Sequence, residues 1–211
     1  MRTKHVALLA LLLLLPWLNA CTESEAWMSP VMLGGGVEVQ AGYAIDDNFG
    51  SDTSVNYTSI GNGITITSGA VYGSTNWADN LVYHETALSS DHWVQAVCEN
   101  ISVGPIIGYD SSGNDGYVVY ISGGYTQVRY LTDGSVGDDA CTDSNASAES
   151  MPYTIKVSWN GSNDMDVWVN GTQYVTNCNP STDYNGTFVG LCIRRGSGAN
   201  YYMDDLTADD N

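Results

Sequence analysis

The sequence predicts an all-β protein of antiparallel strands, arranged as a sandwich or a barrel. From about residue 43 onward, short runs that alternate apolar and polar residues are separated by turn clusters of Gly, Asn, Asp and Ser. No stretch longer than a turn or two repeats its apolar residues at helical spacing. The chain also contains 23 Gly and 14 Tyr but only 2 Phe, a composition that disfavours a helical bundle.

The first predicted strands lie in the middle of the chain. Residues 63–73 alternate well, with Ile64 and Ile66 on one face, and residues 92–101 place Val94, Ala96 and Cys98 on one side. Two strands at 105–110 and 116–121 flank a polar loop, and a strand at 127–132 follows a Gly-Gly turn. This spacing of short strands is typical of a sandwich or barrel.

The strongest local pattern lies at residues 153–175. Four large apolar residues share one face of the strand at 153–159: Tyr153, Ile155, Val157 and Trp159. Thr154, Lys156 and Ser158 share the other face. The turn cluster at 160–164 reverses the chain into a strand at 165–175, so the two segments should form a hairpin with one buried face. A second turn signal, Asn170-Gly171, lies within the latter segment. Strands at 186–195 and 201–208 complete the domain.

Length, hydrophobicity and charge exclude several classes of protein. The chain has 211 residues, 43% of them hydrophobic, which is enough for one domain with a buried core. Its 24 acidic and 6 basic residues give a formal net charge of −18, so we expect no nucleic-acid partner, because phosphate contacts need a basic face. No apolar run after residue 20 is long enough to span a bilayer.

The N-terminus predicts export. Residues 1–20 contain a short positive region with Arg2 and Lys4, an apolar run at 6–15 and small residues at 18–20 that are typical of a signal-peptide cleavage site. Residues 18–21 also resemble the bacterial lipobox, in which a cysteine such as Cys21 is acylated; the alternative is plain cleavage that leaves a free thiol. We therefore expect an outer-surface lipoprotein or an extracellular protein, with membrane contact only through the lipid.

The domain boundaries follow from composition. Residues 21–42 begin acidic and contain Pro30 and three consecutive glycines, so they predict a tether. The apolar residues 31–33 within it also allow a short added edge strand. Residues 43–211 are expected to form one β-sandwich domain.

The chain has five cysteines, and an odd number of cysteines in an exported protein needs an explanation. If Cys21 carries lipid, four remain, which allow two disulfides in three possible pairings. We favour Cys141–Cys178, because the open end of the predicted hairpin brings their segments together, and this leaves Cys98–Cys192. A zinc site is a weaker alternative, since the chain has no Cys-x-x-Cys pair and its histidines are scattered.

The order of these pieces resembles a known superfamily. The order runs from "IDDNFG" (45–50) through "ITITSGA" (64–70), "WVQAVCENI", a glycine-bounded tyrosine strand and the 153–175 hairpin to "VGLCI" and "YYMDDL". Together they resemble the concanavalin A-like lectin/glucanase superfamily, specifically its laminin-G-like secreted modules, over about residues 45–207. The resemblance implies a two-sheet antiparallel jelly-roll sandwich. That fold hosts lectins, glycosidases, lyases and adhesion modules alike.

Motifs for catalysis are missing. The glucanase branch carries its carboxylates on one strand as Glu-x-Asp-x-x-Glu, and this sequence has no such motif. The Arg, Gln-x-His and Tyr motifs of the alginate-lyase branch are missing too. Neither His84 nor His92 lies near a nucleophile-elbow motif. We therefore predict that the protein is not an enzyme.

Two acidic pairs are candidate ligands for a structural calcium ion. Asp46 and Asp47 open the domain, and Asp204 and Asp205 close it. The resemblance implies that the first and last strands are neighbours, so these carboxylates could converge, and calcium prefers clustered oxygen ligands. The alternative is surface acidity that keeps the protein hydrated.

Exposed aromatic and polar side chains are candidate sugar ligands, because flat rings stack on the C–H faces of sugars. Trp168 and Lys156 lie on the outward face of the predicted hairpin. The remaining candidates lie at strand ends or on the side where the resemblance implies a groove: Trp77, Tyr109, Tyr125 and Arg129. The alternative for most tyrosines is a core in which they replace the missing phenylalanine.

The resulting prediction is a non-catalytic, exported surface module that binds extracellular carbohydrate. One alternative is a structural adhesin or fibre subunit, in which residues 31–39 add as a strand to a neighbouring copy. Another is a divergent polysaccharide hydrolase or lyase. The expected partners are therefore an extracellular glycan or other copies of the chain.

Overall fold

The computed structural model describes residues 42–50, 53–67, 69–75, 78–142, 151–160, 164–194 and 201–211. All of them lie in one compact unit, Val39–Asn211. The predicted export segment, Cys21, the tether up to residue 41, and Trp77 lie outside these residues. None of the described helices is long and apolar enough to cross a membrane.

The described residues form fifteen strands and one short 3-10 helix, Ser54–Asn56. The strands are β1 Ile45–Asp47, β2 Tyr57–Ser59, β3 Ile64–Thr67, β4 Ala70–Gly73, β5 Asp79–His84, β6 His92–Cys98, β7 Val103–Asp110, β8 Asp115–Ser122, β9 Tyr125–Thr132, β10 Ser135–Thr142, β11 Tyr153–Trp159, β12 Met165–Val169, β13 Thr172–Cys178, β14 Phe188–Arg194 and β15 Tyr202–Asp210.

These strands make two antiparallel sheets, which confirms the predicted sandwich. Sheet A has eight described strands in the order β13-β12-β11-β6-β15-β4-β3, with β1 also paired to β15. Sheet B has seven in the order β10-β9-β8-β7-β14-β5-β2. The central strand of sheet A, β6, lies between β11 and β15 and pairs with both along its whole length.

The predicted hairpin at 153–169 is confirmed. In β11 and β12, Ile155 pairs with Val169 and Val157 pairs with Val167, and all four side chains are buried. The alternation therefore sends one face of the hairpin into the sandwich and leaves Lys156 on the other.

Two predicted strands each turn out to be two strands. Residues 63–73 form the hairpin β3–β4 around Gly69, whose φ of +85° suits glycine. Residues 165–178 form β12 and β13 around Asn170 and Gly171, both at positive φ. The pairing of β1 with β15 confirms the expectation that the first and last strands are neighbours. The sequence pattern did not predict β2, which has three residues, or β5 and β10.

The sandwich interior is a continuous apolar cluster between the sheets. Trp159 of β11 is its largest fully buried side chain, and it packs edge-on against His92 at 5.5 Å and Tyr117 at 6.2 Å between ring centroids. A Cβ on Gly108 would lie only 2.7 Å from the Trp159 ring. Gly108 has a φ of +61°, so glycine both permits the backbone and leaves room for the indole.

Sheet B carries a second apolar layer on its outer face, the face turned away from sheet A. Its members are Leu81, Ile106, Tyr109, Val118, Tyr120, Leu131 and Cys192. Sheet B curls around this layer, because Gly134, in the turn before edge strand β10, approaches Ile60, just beyond edge strand β2. A Cβ on Gly134 would lie 3.1 Å from the Ile60 carbonyl oxygen. The two faces of the central strands of sheet B are therefore both buried.

The predicted disulfide Cys141–Cys178 is present, with its Cα atoms 6.0 Å apart. It joins β10, an edge strand of sheet B, to β13, an edge strand of sheet A. The bond therefore ties the two sheets together along one side of the sandwich.

The predicted pairing of Cys98 with Cys192 is wrong, and both are free thiols. Cys98 belongs to the apolar cluster between the sheets, whereas Cys192 belongs to the layer on the outer face of sheet B. The physical reason is the alternation along β14, in which Leu191 and Ile193 point inward and Cys192 points outward. The backbone of β14 thus separates the two sulfur atoms.

Two buried histidines are held in their neutral form. The Nδ1 atom of His92 lies 2.8 Å from the Ser89 carbonyl oxygen, and its Nε2 atom is buried with no hydrogen-bond partner. The Nδ1 atom of His84 accepts a hydrogen bond from the Thr86 N–H at 3.1 Å. Protonation would remove the acceptor on His84 and add an unpaired N–H to His92, so both rings disfavour the charged form.

We therefore predict that acidification destabilises the protein. Burial lowers the pKa of His92 and of His84, and nearby carboxylates offset only part of that effect. Below the unfolded pKa of about 6.5, the unfolded chain binds protons that the folded chain rejects, so stability falls as the pH decreases. Urea unfolding from about pH 8 to about pH 5.5 measures this. Replacing both histidines with glutamine should flatten the profile; a wild-type profile that is already flat would contradict the prediction.

Candidate functional site

The predicted sugar-binding residues fall on two opposite faces of the sandwich. Trp168 and Lys156 lie on the outer face of sheet A, as their alternation predicts. Tyr109, Tyr125 and Arg129 belong to β7 and β9 of sheet B. The two groups cannot contact one ligand ring, because both sheets lie between them.

The outer face of sheet B carries two arginine–aspartate ion pairs. Arg129 of β9 contacts Asp139 of β10 at 3.0 Å, and Arg194 of β14 contacts Asp79 of β5 at 2.7 Å. Arg129 also donates to the Gln127 Oε1 atom at 3.1 Å and to the Gly137 carbonyl at 3.0 Å. Each guanidinium is therefore fixed in place, with its charge compensated.

Tyr120 of β8 lies between these ion pairs. Its ring is 5.9 Å from the Arg129 guanidinium carbon, and both Arg129 and Arg194 act electrostatically on its hydroxyl. Burial nevertheless raises the pKa of Tyr120, so the hydroxyl keeps its proton. The side chain is 1% exposed, and the hydroxyl has no hydrogen-bond partner. Buried hydroxyls without a partner are uncommon, and each calls for an explanation, such as a bound water or a functional role. We call Tyr120 and the two ion pairs the Tyr120 site.

The other predicted residues of this sheet have different roles. Tyr109 is fully buried and donates a 2.8 Å hydrogen bond to the Asn114 side chain, and burial raises its pKa to about 12. It packs against Tyr83 and Phe188 in the outer apolar layer, so it is a core residue. Tyr125 is 43% exposed at the start of β9.

The outer face of sheet A carries three aromatic rings and a lysine, and the lysine lies on the strand between two of the rings. The Lys156 ammonium of β11 lies 4.6 Å from the ring centroid of Trp93 in β6 and 6.0 Å from that of Trp168 in β12. The third ring, that of Tyr43, lies edge-on to Trp93 at 5.3 Å. We call these four side chains the aromatic strip.

The four candidate calcium ligands lie near one another, and hydrogen bonds already engage one of them. β1 pairs with β15, and repulsion from Asp204, Asp46 and Asp47 adds to burial in raising the pKa of Asp205. The carboxylate of Asp47, however, already accepts hydrogen bonds from Phe49, Thr53 and Tyr57. Within the described ranges, no group of three acidic, His or Cys side chains is arranged to hold a metal.

Sequence reasoning missed four residues of these surfaces: Trp93, Tyr120, Asp79 and Arg194. Trp93 could have been found, because the inward positions Val94, Ala96 and Cys98 place it outward. Tyr120 could not, because β8 is apolar on both faces and its sequence shows no alternation. The Asp79–Arg194 pair depends on β5, which the sequence pattern did not predict.

A scan against protein-family models finds no match, and a search of curated proteins finds no similar sequence. Several solved structures share the fold at low identity. A carbohydrate-binding module, CBM66, from Bacillus subtilis is 9% identical with a TM-score of 0.58, over 74% of this chain and 96% of that one. The exoplasmic domain of VIP36, in its Ca2+/Man-bound form, is 8% identical with a TM-score of 0.52, over 74% and 82%.

The transglycosylase Crh5 is 12% identical with a TM-score of 0.53, over 79% of this chain and 83% of that one. Such distant similarity shows the fold alone. The chain thus has the jelly-roll sandwich fold of lectin-like carbohydrate-recognition domains, a fold that an enzyme also uses.

Proposed function

We propose that this protein is an exported, non-catalytic carbohydrate-binding module of the concanavalin A-like superfamily. The proposal assigns the primary glycan site to the Tyr120 site on the outer face of sheet B. The observation that carries it is the Tyr120 hydroxyl, which has no hydrogen-bond partner and lies between two arginine–aspartate pairs. The hydroxyl is buried, so a ligand reaches it by displacing a covering side chain such as Arg129, whose guanidinium lies over the ring.

The chemistry of the site suits a neutral, hydroxyl-rich ligand. Arginine N–H groups donate, aspartate oxygens accept, and the Tyr120 hydroxyl does both, so together they match the mixed donors and acceptors of a sugar. Because each guanidinium already has a carboxylate partner, little net positive charge remains for an anionic ligand. The exposed ring of Tyr125 on the neighbouring strand supplies a surface for stacking.

Support for a non-catalytic role comes from the same ion pairs. A glycosidase needs two carboxyl groups flanking the bond, one of them a neutral acid in apolar surroundings. At the Tyr120 site both carboxylates, Asp79 and Asp139, are held by arginines. Export, and lipid attachment at Cys21, are part of the proposal and rest on the N-terminal sequence.

The test is a glycan array and calorimetric titration of the purified full chain, with and without calcium. Neutral probes are mixed-linkage β-glucan, galactomannan, mannan and levan; alginate is the anionic probe. We expect binding to at least one neutral probe and no release of reducing ends. Tyr120→Phe should weaken this binding about tenfold, the value of roughly one hydrogen bond.

A matched control separates binding from folding. Thr126 also has a buried hydroxyl with no partner, but it faces the sandwich interior, where Thr126 pairs with Ile121. Tyr120→Phe and Thr126→Val should both keep or raise stability, because each removes an unpaired hydroxyl. Only Tyr120→Phe should lose affinity. Equal affinity in both variants, or release of reducing ends by the wild type, would refute the proposal.

A further inference from the structure

The aromatic strip on the outer face of sheet A is a binding surface on the side of the sandwich opposite the Tyr120 site. We infer that this strip is a second glycan site, so that one protein molecule bridges two polysaccharide chains. This inference rests on the proposed function, which assigns the first site.

The strip has the dimensions of an extended sugar chain. Trp93 and Trp168 lie on β6 and β12, which flank β11, so their backbones are two strand spacings, or about 10 Å, apart across the sheet. They are also offset by two residues, or about 7 Å, along the strands. Lys156, between them, contacts both rings. A single sugar ring cannot cover both indoles at this separation, whereas successive rings of one chain can stack on each.

The neighbours of the rings supply hydrogen-bond donors and acceptors. Lys156 lies opposite Gln95 in β6, and Trp168 lies opposite Gln173 in β13. Amide side chains donate and accept, as sugar hydroxyls require. A stacked sugar would therefore find polar partners on both sides of the aromatic strip.

Charge favours a neutral polysaccharide over other polymers. Asp209 lies directly opposite Trp93, and Asp166 lies opposite Ser158, the residue next to Trp93 across the sheet. These carboxylates flank a single lysine, on a chain of net charge −18. Nucleic acids, anionic polysaccharides and anionic lipid surfaces are repelled by such a surface. A neutral polysaccharide meets no such penalty.

Two sites on opposite faces predict two bound ligands per monomer and the precipitation of long polysaccharides. Calorimetric titration of the full chain with short oligosaccharides of the four neutral probes should give two sites per monomer. Mixing the protein with the parent polysaccharides should precipitate them, because each molecule links two chains. Sedimentation of the free protein in the same buffer should show a monomer.

Variants separate the two faces. Trp93→Ala/Trp168→Ala should reduce the stoichiometry from two to one and abolish precipitation, and the remaining site should keep its sensitivity to Tyr120→Phe. Trp93→Leu/Trp168→Leu keeps apolar side chains on the sheet but removes the flat rings. It should therefore give the same stoichiometry and the same loss of precipitation as the double alanine variant. Val55→Ala, which shortens an exposed apolar side chain outside both sites, should leave both sites intact.

The possible results distinguish the failure of the second site from the failure of the proposed function. One site in the wild type, unaffected by the tryptophan changes, overturns the second site and leaves the proposed function standing. Binding lost with the tryptophan changes but unaffected by Tyr120→Phe overturns the assignment of the primary site. A dimer that the tryptophan changes dissociate identifies a second copy as the occupant of the strip and overturns the inference.

Discussion

Trp159→Ala is expected to lower the free energy of unfolding by about 3–5 kcal/mol. Trp159 is fully buried between the sheets and is the residue against which His92, Tyr117 and the backbone of Gly108 all pack. Alanine leaves a cavity that these neighbours cannot fill, because Gly108 carries no side chain. Urea unfolding, followed by circular dichroism, measures the loss.

The control is a tryptophan of the same sheet that points the other way. Trp93 lies on the adjacent strand β6, on the outer face, so Trp93→Ala should cost about 1 kcal/mol or less. Trp159→Phe should cost less than the alanine change, since it keeps a ring and removes an indole N–H that is buried without a partner. Equal losses for Trp159→Ala and Trp93→Ala would contradict the described packing.

Removing the disulfide is expected to cost about 4 kcal/mol, the chain-entropy value for a loop of this length. Cys141 and Cys178 are 37 residues apart and join the edge strands of the two sheets. Cys141→Ser/Cys178→Ser frees β10 and β13 to separate, and the unfolded chain gains the entropy of the opened loop. The free energy of unfolding of the double variant, compared with that of the wild type, measures the effect.

A free cysteine provides the comparison. Cys192→Ala removes a buried thiol that takes part in no disulfide, so its smaller loss should be the same with and without reductant. Reduction of the wild type should reproduce the loss seen in the double serine variant. A wild type that is as stable reduced as oxidised would show that the bond contributes little.

The sequence predicts correctly where one face is buried and the other exposed. Along β11, apolar and polar residues alternate without exception, so the hairpin, the inward Ile155 and the outward Lys156 all follow from the pattern. The Cys141–Cys178 bond is present, but not for the predicted reason. The chain turns back at Asn170 and Gly171, so Cys178 lies opposite Met165 at the closed end of the hairpin and not at its open end.

The sequence fails where both faces are buried. The strand β14 reads Phe-Val-Gly-Leu-Cys-Ile-Arg, which is apolar at successive positions, so nothing in it shows which way Cys192 points. The second apolar layer that buries Cys192 arises because sheet B curls, and curling depends on contacts between distant segments such as Ile60 and Gly134. Tyr120 is buried in the same layer, so the sequence does not show its orientation either.

The predicted sugar-binding residues lie on two opposite faces, and the sequence could not show this for a related reason. Alternation along each strand gives the face of a residue relative to its own strand, but not which strands become neighbours. The pairing of β6 with β11, which places Trp93 beside Lys156, links segments about sixty residues apart in the chain. Only the folded arrangement shows that Trp168 and Arg129 lie on opposite sides.

The position of β15 makes the whole of sheet A depend on a single strand. β15 lies between β6 and β4 and also pairs with β1, near the start of the described residues. Without Tyr202–Asp210, sheet A would have a gap between β6 and β4. A variant with a stop codon shortly before Tyr202 should therefore give an insoluble product.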